Sequence, residues 1–177
     1  MATSVSVLGE DVRVHQQPNG PAFDVVLLLH VGCVVVGLVT VVTSGATARS
    51  LSKVLHAGAP FPATVVRYFR PGVNWAGRSV YGIPVFGFLL LALSHGAYSL
   101  RDSWVMVGLA ILVGVVVVSE SMLWPAERRL QVSLAALSSG AVPEGDSVAR
   151  DARVMALAAA VALALLVAGT AIMVAQP

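Results

Sequence analysis

Charged side chains are scarce: they make up 11% of this 177-residue chain, against 57% hydrophobic residues. A soluble domain carries about 25% charged residues. So few polar groups cannot cover a globule, which excludes a water-soluble fold and leaves lipid as the covering solvent. Cysteine is nearly missing as well. Cys33 stands alone, which excludes an internal disulfide and any CxxC redox or zinc pair. Its place inside an apolar run reads as packing. There is no Walker loop, no GxSxG and no HExxH, so no motif supports an enzyme. Eleven basic and nine acidic residues nearly balance, with no basic stripe interleaved with aromatics, which argues against nucleic acid as a partner.

Long apolar runs are what the chain does have. Trp75 to Arg129 holds two of them, joined by the short stretch Tyr98 to Ser103. Each is about long enough to cross a bilayer core, which takes roughly 20 residues. So short a connection predicts antiparallel neighbours, with the rest of the chain packed on this hairpin. Two further runs predict an all-α, polytopic membrane protein, a bundle of four transmembrane helices over about 22–44, 75–98, 104–124 and 154–175. Residues 1–21 read as a mobile polar tail. They do not read as a signal peptide, because Glu10 and Asp11 oppose the single cation Arg13. Ala46-Thr47-Ala48 resembles a cleavage site, yet the preceding run, Val25 to Val42, exceeds the usual h-region of about 7–15 residues.

The connectors carry finer signals. Thr64 to Phe69 predicts a short interfacial helix, and Asn74 an N-cap for the second span. Pro84 predicts a bend rather than a stop. Pro125 opens a helical extension into water, and Ser138 to Gly145 reads as a loop. Arg49, Lys53, Arg67, Arg70 and Arg78 lie around the first connector; Arg128, Arg129, Arg150 and Arg153 lie around the third. Only Arg13 and Arg101 fall on the other side. Positive loops stay in the cytoplasm, which predicts an N-out, C-out bundle. Ala152, Ala156, Ala160, Ala164 and Ala168 recur every four residues, a spacing that lets helices approach closely in lipid. Gly32, Gly37, Gly82 and Gly87 suit the same task within the bundle or, alternatively, in a contact with another subunit or a second copy.

Ionisable residues inside the spans are functional hypotheses by default. His30 and His95 fall in the outer half of the first two spans. His30 shares a helical face with Val26, Val34, Gly37 and Val41, and His95 with Tyr81, Phe88 and Ala92. Gly37 leaves a groove for a flat ligand, and two facing imidazoles are a usual axial pair for b-type haem. The plainer reading satisfies each histidine on a carbonyl or hydroxyl. Met106, at similar depth, is a soft ligand or a gap-filler. Glu120 is a proton-relay carboxylate or, more simply, the partner of Arg78 in a structural ion pair at the cytoplasmic side. His15 and His56 read as solvated.

The segments LLLHVGCVVVGLVTVVT, RYFRPGVNWAGRSVYGIP, LLLALSHG and LWPAERRLQ resemble an uncharacterised bacterial family of four-helix integral membrane proteins, over most of the chain from the first span onward. That resemblance implies a fold and a bacterial inner-membrane location, and no activity. The first span is also distantly similar to the copper-resistance D type, in which a histidine precedes a Trp-Gly-Gly turn. Here His30 is followed by Val36-Gly37-Leu38, without that tryptophan. Three functions follow. The first is a structural, accessory or assembly subunit, whose partners are the lipid bilayer and other membrane subunits. The second is a haem b or metal-binding redox protein using His30 and His95. The third is a small-solute permease subunit, on Pro84 and Glu120.

Overall fold

A computed structural model describes residues 20–139 and 145–175. The polar tail up to residue 19, His15 and most of the 138–145 loop fall outside the described residues. The described chain is helical, with no strand among the described residues. Its elements are α1 (Pro21–Ala57), α2 (Ala63–Tyr68), α3 (Trp75–Arg78), a 3-10 turn (Ser79–Tyr81), α4 (Gly82–Leu93), α5 (Ser103–Val118), a π-helical turn (Ser119–Leu123), α6 (Trp124–Ser138) and α7 (Gly145–Val174).

These assemble into four helices long and apolar enough to cross a membrane: Pro21–Ala57, Trp75–Leu93, Ser103–Leu137 and Asp146–Val174. The all-α four-helix architecture expected from the sequence is therefore the one observed. Three of the rods exceed the apolar runs. At 1.5 Å per residue, the 37 residues of α1 reach roughly 55 Å, well beyond a core of about 30 Å. The excess of α1 and of the α5–α6 and α7 rods lies at the basic end, where Arg49, Lys53, Arg128, Arg129 and Arg150 stand.

The packing differs from the expected hairpin-centred plan. α1 and α7 make the most extensive helix pair, α7 also packs on α5 and α6, and α4 packs on α1. Small residues set this order. A Cβ at Gly45 would come within 3.1 Å of the Ala159 Cβ, so α1 and α7 nearly touch backbones there. Gly82 is tighter still, since a Cβ there would fall 2.5 Å from Cys33 Sγ. Cys33 is thus a packing residue between α1 and α4.

The alanine row does not form one seam. Ala152 is buried, whereas Ala164 and Ala168 are uncovered. Steps of four advance 40° per repeat on a 3.6-residue helix, so the row winds off the contact face. The seam runs instead through Val148, Ala152, Met155, Ala159, Ala162 and Leu166, in steps of three and four.

Both prolines deform their rods. Pro84 cannot donate to the Val80 carbonyl and crowds it, and the chain tightens to a 3-10 turn over Ser79–Tyr81. Pro125 does the same to the Ser121 carbonyl, and the turn before it widens to π. The second span ends at Leu93, five residues before the expected Tyr98. Ser94 Oγ donates to the Leu91 carbonyl at 2.8 Å, His95 takes a left-handed conformation (φ 49°), and Gly96 follows at φ 89°. That turn reverses the chain toward α5.

Candidate functional site

The polar side chains gather at the basic end, where the two deformed turns face each other. The 3-10 turn presents Tyr81 and the π turn presents Glu120. The Tyr81 hydroxyl donates to Glu120 Oε1. Arg78 Nη1 lies 3.6 Å from the same oxygen, so the ion pair expected from the sequence is present. Arg78 does more than pair. Its guanidinium carbon sits 3.7 Å from the centroid of the Trp124 ring, a cation–π contact. The Tyr81 and Trp124 rings are 5.6 Å apart. One arginine thus joins a carboxylate on the π turn to an indole at the start of α6.

Beside this cluster lies a second one that the sequence reading missed. Glu127 is only 5% exposed. Its Oε1 accepts a hydrogen bond from Asn74 Nδ2 at 3.3 Å. Asn74 also caps α3, as its position predicted, by accepting from the Gly77 N–H at 3.1 Å. The Tyr68 hydroxyl interacts with the same carboxylate and lies 2.6 Å from Ser44 Oγ. Burial, then the nearby Glu127 charge, pushes the Tyr68 hydroxyl well above its ordinary pKa, so it stays a donor. The chain Ser44–Tyr68–Glu127–Asn74 therefore ties α1, α2, α6 and the start of α3 together. A third contact, Arg129 Nε to Asp151 Oδ1 at 3.0 Å, ties α6 to α7.

Both missed acids carried a signal. Glu127 is flanked at helical spacing by Leu123, Leu130 and Leu134, and Asp151 by Val148 and Met155. An acid in register with an apolar face is placed on the buried side. Reading the segment after Pro125 as an extension into water overlooked that register.

The histidines are not placed as a haem pair. His30 Nδ1 is 3.0 Å from the Ile83 carbonyl, so this ring nitrogen donates to the backbone of α4. Gly87 packs against the same ring. His95 is not on a helix: it is exposed, in the left-handed turn beyond Leu93. From Gly87, beside His30, the helix runs on roughly 9 Å to Leu93 before the turn that holds His95, whereas imidazoles sharing an iron need about 4 Å between ligating nitrogens. The groove expected at Gly37 is filled, with Ser79 Oγ 3.9 Å and Ile83 Cδ1 4.0 Å from where a Cβ would stand. The donor set and the packing do not fit a haem held by His30 and His95. Met106 is 51% exposed, which fits neither a ligand beside His30 nor a filled gap. His56 is exposed and bonds the Ser52 carbonyl one turn back, as a solvated residue would.

No group of three or more His, Cys, Asp and Glu side chains suited to a metal ion occurs among the described residues. No family model, curated protein or solved structure matches the chain.

Proposed function

We propose that this chain is a non-catalytic subunit of a bacterial inner membrane, with a structural, accessory or assembly role, and that both termini face outward. The observation that supports this reading is where the polar groups are spent. The buried acids Glu127 and Asp151, and the ion pair Arg78–Glu120, each bond another residue of the same chain. These bonds hold connectors to helix ends, which is a positioning task.

A second observation agrees. Val25, Leu28, Val35, Val39 and Val42 of α1 are uncovered and fall on one helical face. Gly32 lies on that face, with no atom near the place of its Cβ. A partner helix can approach closely there. The resemblance to a four-helix integral membrane family fits this role and supplies no activity.

Extraction in mild detergent followed by native mass spectrometry tests the role. A stoichiometric second membrane polypeptide, or a second copy, is the expected companion. A monomer carrying a visible chromophore that His30→Ala removes would overturn the reading in favour of a redox protein.

A further inference from the structure

The loop between α2 and α3 lies against the basic end of α6 and leaves a cleft of about 30 Å³ open to the surface. The loop, residues 72–74, forms one wall. Arg78, Trp124, Glu127, Arg128 and Gln131 form the rest. Gln131 Nε2 donates to the Gly72 carbonyl at 3.4 Å and closes the far side. Glu127 is turned to Asn74, which occupies its Oε1.

Two guanidiniums line this cleft. Arg78 is held in place by its stack on Trp124, and its contact with Glu120 leaves most of its five N–H donors for other partners. Arg128 is exposed and makes no salt bridge among the described residues. Arg70, also exposed, stands two residues before the loop. Arg78 is partly balanced by Glu120 outside the lining and Glu127 is buried against Asn74, so Arg128 is the guanidinium left to meet a single anionic group, with Arg78 beside it. Guanidinium is the side chain best shaped for phosphate oxygens.

The surroundings choose between a soluble anion and a lipid. Trp124 begins α6 at the end of the apolar run, the depth at which tryptophan marks headgroups. Beside the cleft, Val73 is 53% and Trp75 77% uncovered. A free phosphate has no use for such apolar surface; acyl chains and glycerol would cover it. Basic pockets at helix ends are a known form of headgroup site.

We propose that this cleft binds the phosphate of an anionic phospholipid in the leaflet that the basic loops face. The proposal rests on the chain lying in a bilayer and is independent of its role as a subunit. The full chain in nanodiscs, carrying a minor fraction of phosphatidylglycerol in phosphatidylcholine, provides the test, with retained lipid counted by native mass spectrometry. Wild type retains phosphatidylglycerol in preference to phosphatidylcholine. Arg128→Gln, a change at an exposed position, weakens that retention roughly tenfold, the loss expected for a charge-assisted contact. Arg150→Gln, which alters an exposed arginine of α7 outside the cleft lining, leaves it unchanged. Equal retention of the two lipids, or equal losses in the two variants, would reduce the effect to general surface charge and overturn the proposal. Displacement of phosphatidylglycerol by inorganic phosphate would assign the cleft to a free anion and overturn the lipid.

Discussion

Glu127 of α6 is buried against Asn74, the residue that caps α3, across 3.3 Å. The two lie 53 positions apart in sequence, so this bond fixes a loop to a helix end that no local propensity would join. Removing the carboxylate leaves the part-buried Asn74 amide without its acceptor, while the Tyr68 hydroxyl keeps only its contact with Ser44. Glu127→Ala should therefore cost about 1–3 kcal/mol, the penalty for unsatisfied buried groups. Glu127→Gln keeps an acceptor oxygen in place and should cost less. Unfolding midpoints in detergent measure both, and equal stability of Glu127→Ala and wild type would show that the bond does not hold the loop.

The fold was legible because its two causes are local. Apolar runs longer than a bilayer core give the spans, and Asn74 and Pro84 mark an end and a bend. Helix order around the bundle was not legible. It depends on single close approaches such as Gly45 to Ala159, which pair residues far apart in the chain. The candidate site was half legible. Arg78 and Glu120 were paired from depth alone, because each stood near the basic end of an adjacent rod. The place of Trp124 under Arg78 was not drawn from the sequence. Tyr81 was seen only as a face-mate of His95. The π turn that orients Glu120 follows from Pro125, whose effect five residues upstream was not drawn. His95 was misplaced by carrying a helix through Ser94 and Gly96.

Gly82 faces Cys33 with no room for a side chain. A Cβ at Gly82 would lie 2.5 Å from the sulfur, which forces α1 and α4 apart or drives Cys33 into another rotamer. Gly82→Ala should lower stability by about 1–3 kcal/mol, the usual cost of overpacking. Cys33→Ala removes the obstructing atom, so the double variant should recover part of the loss. A thermodynamic cycle in detergent reads the coupling. Simple additivity of the two changes would mean that the residues do not meet.

Arg78 is engaged by both Glu120 and Trp124, and the two contacts predict an asymmetric charge swap. Neutralising Glu120 removes a partly exposed ion pair, worth about 0.2–1 kcal/mol. Neutralising Arg78 removes that pair and the stack on Trp124, about 0.5–1 kcal/mol more. Arg78→Gln should thus lower the thermal midpoint more than Glu120→Gln. The exchange Arg78→Glu with Glu120→Arg should rescue only part, since a carboxylate cannot stack on the indole. Full rescue would show the Trp124 contact to be inert; no rescue would show the ion pair to be so.

Tyr68 lies in the connector, and its hydroxyl is held protonated by burial and by the adjacent Glu127 carboxylate. The sign of the consequence follows from linkage. The folded pKa is above the unfolded value of about 10, so the unfolded chain gives up this proton first as pH rises. The stabilisation is fully present below pH of about 10 and is lost as pH climbs toward the folded value. Unfolding midpoints in detergent should hold steady up to about pH 10 and fall as pH rises above it. Tyr68→Phe cannot titrate, so its midpoint should be lower at neutral pH, through the lost bond to Ser44, and flatter above pH 10. Parallel slopes for the two proteins would assign the alkaline loss to other groups.

The orientation can be read from two serines at opposite ends of the bundle, Ser99, half-buried, and Ser139, exposed. Ser99 lies in the turn between α4 and α5, where its N–H donates to Asp102 Oδ2 at 2.8 Å. Ser139 follows α6 at the basic end. Lysine and arginine side chains resist translocation, so the end carrying Arg49, Lys53, Arg128, Arg129 and Arg150 should remain cytoplasmic. In a Cys33→Ala background, cysteine at position 99 should then react with an impermeant maleimide added to intact cells. Cysteine at position 139 should react only after the cells are opened. The opposite pattern would invert the protein, and with it the leaflet whose phosphate the cleft between the 72–74 loop and α6 would meet.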